Sequence, residues 1–207
     1  MNRKLPIIVV TFVVVVFAFG AWLNLRVAEP PENTPVGGMV VNVNIGGPFD
    51  LIDHTGARMK DESLRGKYAL IYFGYTFCPD VCPTELGEIA VALDELGEAG
   101  EQVTPVMITI DPERDTPEVL AEYVPLFHDR LVGLTGTDAE IKDVAEKYRV
   151  FYRRFEDPSF TFDLMDHTSF VYLIDPKGAV ASMFRYGTLP EDMADAIRQH
   201  MRARADS

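Results

Sequence analysis

The chain has 207 residues, 47% of them apolar, which suits one globular domain plus an appendage. Its net charge is −13. Outside residues 1–39 it carries 16 basic against 30 acidic side chains, a net of −14. So acidic a surface argues against nucleic acid as a partner, because phosphate recognition needs basic groups; the charge serves solubility or draws a basic partner. Two cysteines are too few for a disulfide scaffold and are read for their chemistry.

Ile7 to Leu23 is an uncharged apolar run. The stretch from Leu5 to Leu25 would span about 31 Å as a helix, close to the thickness of a hydrocarbon core. Trp22 falls where an interfacial aromatic is expected. Arg3 and Lys4 precede the run and Arg26 follows it, so the positive-inside rule puts the N-terminus in the cytoplasm and the rest outside. A cleaved signal peptide is the competing reading, with Ala18 and Gly20 as small residues, but the run exceeds the usual signal core. Residues 1–27 are therefore read as a single transmembrane anchor. The absence of an Arg- and Ser-rich transit peptide points to a bacterial inner membrane with the soluble domain in the periplasm. Residues 28–39, rich in Pro and Gly, read as a semi-extended linker. Residues 40–207 form the remaining domain.

Residues 49–59 predict a hairpin turning at His54-Thr55-Gly56. Tyr68–Tyr75 is a continuous apolar run, suited to a buried central strand. Glu85–Glu98 has Leu86, Ile89, Ala90, Leu93 and Leu96 at helical spacing. Val103–Ile110 predicts a second buried strand. Thr116-Pro117 caps a helix reaching about Phe127. A short strand at Leu131–Leu134 and a helix from Asp138 to about Tyr148 follow. Ser169–Ile174 and Ala179–Tyr186 predict strands joined by an Asp-Pro-Lys-Gly turn, and Pro190–Arg204 a closing helix. This alternation implies an α/β sandwich around a mixed central sheet.

Cys78 and Cys82 stand between the first central strand and its helix, where open α/β sheets place ligands. Near a helix N-terminus a thiolate is stabilised. Residues four apart share a helical face, so two sulfurs can converge. Soft thiolates select Cu(I) or zinc, and with only two cysteines a structural zinc site, which prefers four ligands, is disfavoured. A plain disulfide staple is the unremarkable alternative; oxidation and metal loading exclude each other. Among the four histidines, His54, His128 and His200 read as turn or surface residues. His167 stands in a polar loop, Asp163–Ser169, just before a core strand, and its position alone does not separate a ligand from a capping or hydrogen-bonding residue. An imidazole added to two thiolates makes a site that also holds Cu(II). Asp80 and Asp166 are candidates to orient the ligands, with capping or solvation as the plain alternative. Met165 could offer a thioether, although core packing suits it better.

Cys78-Pro79-Asp80-Val81-Cys82-Pro83, then Asp111-Pro112-Glu113-Arg114-Asp115-Thr116-Pro117, then Asp166-His167-Thr168 and Tyr172-Leu173-Ile174-Asp175-Pro176, together resemble the Sco/SenC family over about residues 40–203. The resemblance implies a thioredoxin-like fold and a membrane-anchored copper chaperone for cytochrome c oxidase assembly. It implies that Cys78 and Cys82 are a redox-active, copper-binding pair and that His167 is the third ligand for Cu(I) and Cu(II). The implied recipient is the oxidase subunit with the binuclear copper centre; other periplasmic copper chaperones or thiol reductants are further partners. Three rivals remain. A thiol–disulfide oxidoreductase would keep the oxidase's copper-site cysteines reduced, although thioredoxin-like pairs usually have two intervening residues and this one has three. A peroxidase-like reading of Cys82-Pro83-Thr84-Glu85 is broken at Pro79, where a Thr is needed. A redox or copper sensor is the third.

Overall fold

The computed structural model describes residues 45–205. The anchor over 1–27 and the linker over 28–39 lie outside the described residues. Among the described residues, no helix is long and apolar enough to cross a membrane.

A short hairpin opens the fold, β1 (Asp50–Asp53) and β2 (Arg58–Lys60). Asp53 closes its turn by accepting from the backbone N–H groups of Thr55 and Ala57. β3 (Tyr68–Gly74) is buried at every position, as its unbroken apolar run demands of a strand covered on both faces. β4 (Val103–Thr109) lies parallel beside it, with Ile71 opposite Val106. β5 (Val132–Thr135) extends the parallel set. β8 (Phe170–Ile174) and β9 (Val180–Arg185) join antiparallel on the other side. The sheet order is β2-β1-β5-β4-β3-β8-β9, so the mixed sheet is present with β3 near its centre.

The helices are α1 (Val81–Leu96), α2 (Pro117–Tyr123), α3 (Asp138–Lys147) and α4 (Pro190–Ala205). α1 packs on α4, and the apolar side of α1 supplies Leu86, Ile89 and Leu93 to the core. Thr116 Oγ1 caps α2. Thr137 and Glu140 form a capping box at α3.

Two local expectations need correcting. α1 begins four residues before the predicted start, so Cys82 lies inside its first turn. The segment around His167 is not a loop: β6 (Tyr152–Phe155) and β7 (Leu164–His167) form a separate antiparallel hairpin, and His167 is the last residue of β7.

Candidate metal and thiol site

The register of the sheet gathers the candidate residues. β3 ends at Gly74, and the chain then turns through Tyr75–Asp80 into α1. β8 runs antiparallel to β3, with Tyr72 opposite Val171. Residues just before β8 must therefore lie beyond the carboxyl end of β3. His167 is one of them, which brings it over the cysteines although they are 85 and 89 positions away in sequence.

Both cysteines are free thiols. Cys82 is fully buried, while Cys78 is partly exposed. The Cys82 backbone N–H donates to Cys78 Sγ at 3.3 Å, so a sulfur takes the place that an oxygen usually holds at a helix start. The Asp80 side chain makes no capping bond. Cys82 Sγ stands 3.6 Å from His167 Nε2. Gly74 leaves room for Cys82 and Tyr72, because a Cβ there would come within 3.1 Å of Cys82 Sγ and 2.6 Å of the Tyr72 ring.

The two thiols differ electrostatically. A hydrogen bond from the Cys82 thiol and the N–H groups of the helix start bring Cys78 down to about 5. The same bond, with burial and the neighbouring Cys78 charge, pushes Cys82 up. The first proton therefore leaves the pair easily and the second with difficulty. Burial lowers His167 and keeps its ring neutral. Its Nδ1 lies 3.1 Å from the Thr168 carbonyl. A carbonyl only accepts, so Nδ1 carries the hydrogen and Nε2 keeps an uncommitted lone pair on the side of Cys82. The rings of Tyr72 and Tyr75 meet the imidazole edge-on at 6.3 and 6.1 Å.

The loop after β4 supports the dithiol from beneath. Asp115 is fully buried and accepts from Thr76 N at 3.0 Å, Thr76 Oγ1 at 2.5 Å and Thr109 Oγ1 at 2.6 Å. Asp111, also buried, receives both Arg114 and Arg154. Arg114 lies over the Phe77 ring at 4.9 Å. In the sequence this stretch carried only the family resemblance, and neither the hairpin nor Arg154 was signalled. Asp166 faces solvent and pairs with Arg153 at 3.0 Å. Met165 is buried, and its N–H donates to Tyr75 Oη. The remaining histidines have other partners: His54 accepts from Gly133 N, His128 from Arg130 N, and His200, half-buried rather than exposed, bonds Ser182 Oγ. Among the described residues, no three His, Cys, Asp or Glu side chains already form a metal cage. The site offers two sulfurs and one free imidazole nitrogen, a donor set with the softness copper favours.

A dithiol at a helix start, faced by a neutral imidazole at the carboxyl end of a central strand, defines a thiol-redox or soft-metal protein. The chain matches the SCO1/SenC family over residues 39–202 and belongs to that family. It is 41% identical to a SCO2-like protein of Rickettsia conorii over 196 residues, covering 93% of this chain and 94% of that one. The crystal structure of Arabidopsis thaliana ScoI with copper bound is 41% identical, with a TM-score of 0.73, over 77% of this chain and 99% of that one. The structure of Bradyrhizobium japonicum ScoI with copper bound is 42% identical, with a TM-score of 0.69, over 75% and 98%. The fold is thus the thioredoxin-like α/β fold of the Sco proteins with its mixed central sheet.

Proposed function

We propose that this protein is a copper metallochaperone that binds copper through Cys78, Cys82 and His167 and delivers it to the binuclear copper centre of cytochrome c oxidase during assembly. The observation that carries the reading is the approach of His167 Nε2 to Cys82 Sγ, 3.6 Å apart, with Cys78 Sγ on the Cys82 amide. Copper-bound structures of relatives at 41–42% identity support it. Two thiolates suffice for Cu(I), and the imidazole adds the harder donor that Cu(II) needs. In this reading residues 1–27 anchor the chain in a bacterial inner membrane, residues 28–39 are the tether, and residues 40–207 work in the periplasm beside the membrane-bound oxidase subunit.

The test is a titration of the purified, reduced full-length chain with Cu(I) and with Cu(II), wild type against His167→Ala. One tight Cu(I) per chain is expected for both. Cu(II) affinity is expected to fall roughly 100-fold or more in the variant, since an inner ligand outweighs the 10–100-fold typical of its outer supports. A wild type that cannot compete with modest chelators for either ion would end the copper reading.

A second reading is favoured by the unequal thiols. Cys78, accessible and ionised from about 5, is a nucleophile, and Cys82 is a buried resolving thiol. Such a pair can reduce a partner's disulfide, including one formed by the recipient's copper-site cysteines. Catalytic reduction of a disulfide peptide by the copper-free chain would favour it.

A further inference from the structure

The β6–β7 hairpin carries His167 to the dithiol, yet two four-residue strands are not stable alone. Besides the burial of Leu164 and Met165, three residues make polar contacts that fasten it to the body of the fold. Tyr75 Oη accepts from Met165 N at 3.1 Å. Arg114 Nη1 donates to the Asp163 carbonyl at 3.0 Å, just before β7. Arg154, within β6 and opposite Met165, sends Nη2 to Asp111 Oδ1 at 3.0 Å and to Glu113 Oε2 at 2.7 Å. Asp111 is 1% exposed, and Arg114 takes its other oxygen. One buried carboxylate thus joins a guanidinium from its own loop to one from the hairpin. Neighbouring side chains on a strand point to opposite faces. Arg153 accordingly faces away and pairs with Asp166 inside the hairpin, which ties nothing to the body.

We propose that Arg154 is a positioning residue for His167, its ion pair with Asp111 holding the hairpin in the register that brings the imidazole to the cysteines. The inference rests on the copper reading above. Cys78 and Cys82 belong to the β3–α1 segment, which Arg154 does not touch in any of these contacts. Loss of Arg154 therefore separates the two oxidation states: Cu(I), held by sulfur, keeps its affinity, and Cu(II), which needs the imidazole, loses it.

The experiment titrates the reduced full-length chain with Cu(I) and Cu(II) as wild type, Arg154→Leu, Arg154→Lys and Arg153→Leu. Arg154→Leu should weaken Cu(II) by roughly 10–100-fold, the range for supports of a metal ligand. Its Cu(II) absorption and electron paramagnetic resonance should shift toward those of His167→Ala, with Cu(I) affinity unchanged. Arg154→Lys should recover part of the loss. Arg153→Leu removes the same charge and should match the wild type. Equal Cu(II) losses in the two leucine variants would mean a bulk charge effect and overturn the proposal, as would equal losses of Cu(I) and Cu(II) or an unaltered Arg154→Leu. Should Arg154→Leu unfold by circular dichroism, the Cu(II)-against-Cu(I) comparison in Arg154→Lys decides by the same criteria, an intermediate Cu(II) loss supporting the proposal and no loss refuting it. A wild type that binds neither ion refutes the copper reading itself, an outcome visible before any variant is compared.

Discussion

Two thiols four residues apart are given opposite characters by their surroundings. Cys78 sits at the open mouth of the helix start, with N–H groups and a thiol donating to it; Cys82 lies beneath it without solvent. Alkylation of the copper-free, reduced chain should therefore be confined to Cys78. Its rate should rise through about pH 5 and level off above it, because the thiolate is the nucleophile and is already fully formed there. Site-resolved mass spectrometry from pH 4 to 9, a window that includes the ordinary thiol value near 8.5, checks this. A rate still climbing at pH 8, or label first on Cys82, contradicts the assignment. The neutral imidazole has the same logic: its Nδ1 is committed to Thr168, so only Nε2 is free.

At the scale of elements, the loops at the carboxyl ends of β3 and β4 act as one unit. Asp115 joins them by taking three donors from Thr76 and Thr109. Asp115→Ala leaves those buried donors without an acceptor and should cost about 2–4 kcal/mol, a value set by the penalty for unsatisfied buried polar groups. Urea unfolding of the copper-free chain measures it, and a loss within error of zero would mean that water replaces the carboxylate freely. Much of this architecture was legible in the sequence. The Tyr68–Tyr75 run read as a buried strand, and Thr116-Pro117 read as a helix start; both depend on neighbours in the chain. α1 starts four residues before the sequence signals it, since Pro79 and Pro83 and the lack of an apolar periodicity obscure a helix whose cap is a sulfur. The β6–β7 hairpin carries no such local signal. Its strands are short and mostly charged at the surface, and its hold on the fold comes from distant residues such as Asp111, 43 positions before Arg154. Long-range ion pairs of that kind leave no local pattern. For the same reason Cys78, Cys82 and His167 stand out in the sequence as candidates, while the residues that support them in the fold, Tyr75, Arg114 and Arg154, do not.

Across the whole described domain, one buried acid links distant parts. Glu85 on α1 is 2% exposed and accepts from Gly187 N in the β9–α4 connection at 3.2 Å. Burial, with Glu88 nearby, raises it to about 7. The fold thus favours its protonated form. This contribution to stability is complete below the ordinary value of 4.5 and is lost as pH rises through about 7. Glu85→Gln keeps the acceptor oxygen and removes the titration. The midpoint of thermal unfolding of the wild type should fall relative to that variant between pH 5 and pH 8, and parallel curves for the two would refute the assignment.

The Cys78 sulfur is the natural point of entry for anything that exchanges with the site, and it is also what the Cys82 amide, in the first turn of α1, holds on to. A thiolate sulfur has more than one lone pair, so Cys78 can take a new partner and still accept from that amide. The atom through which the site exchanges thus keeps its place at the start of α1.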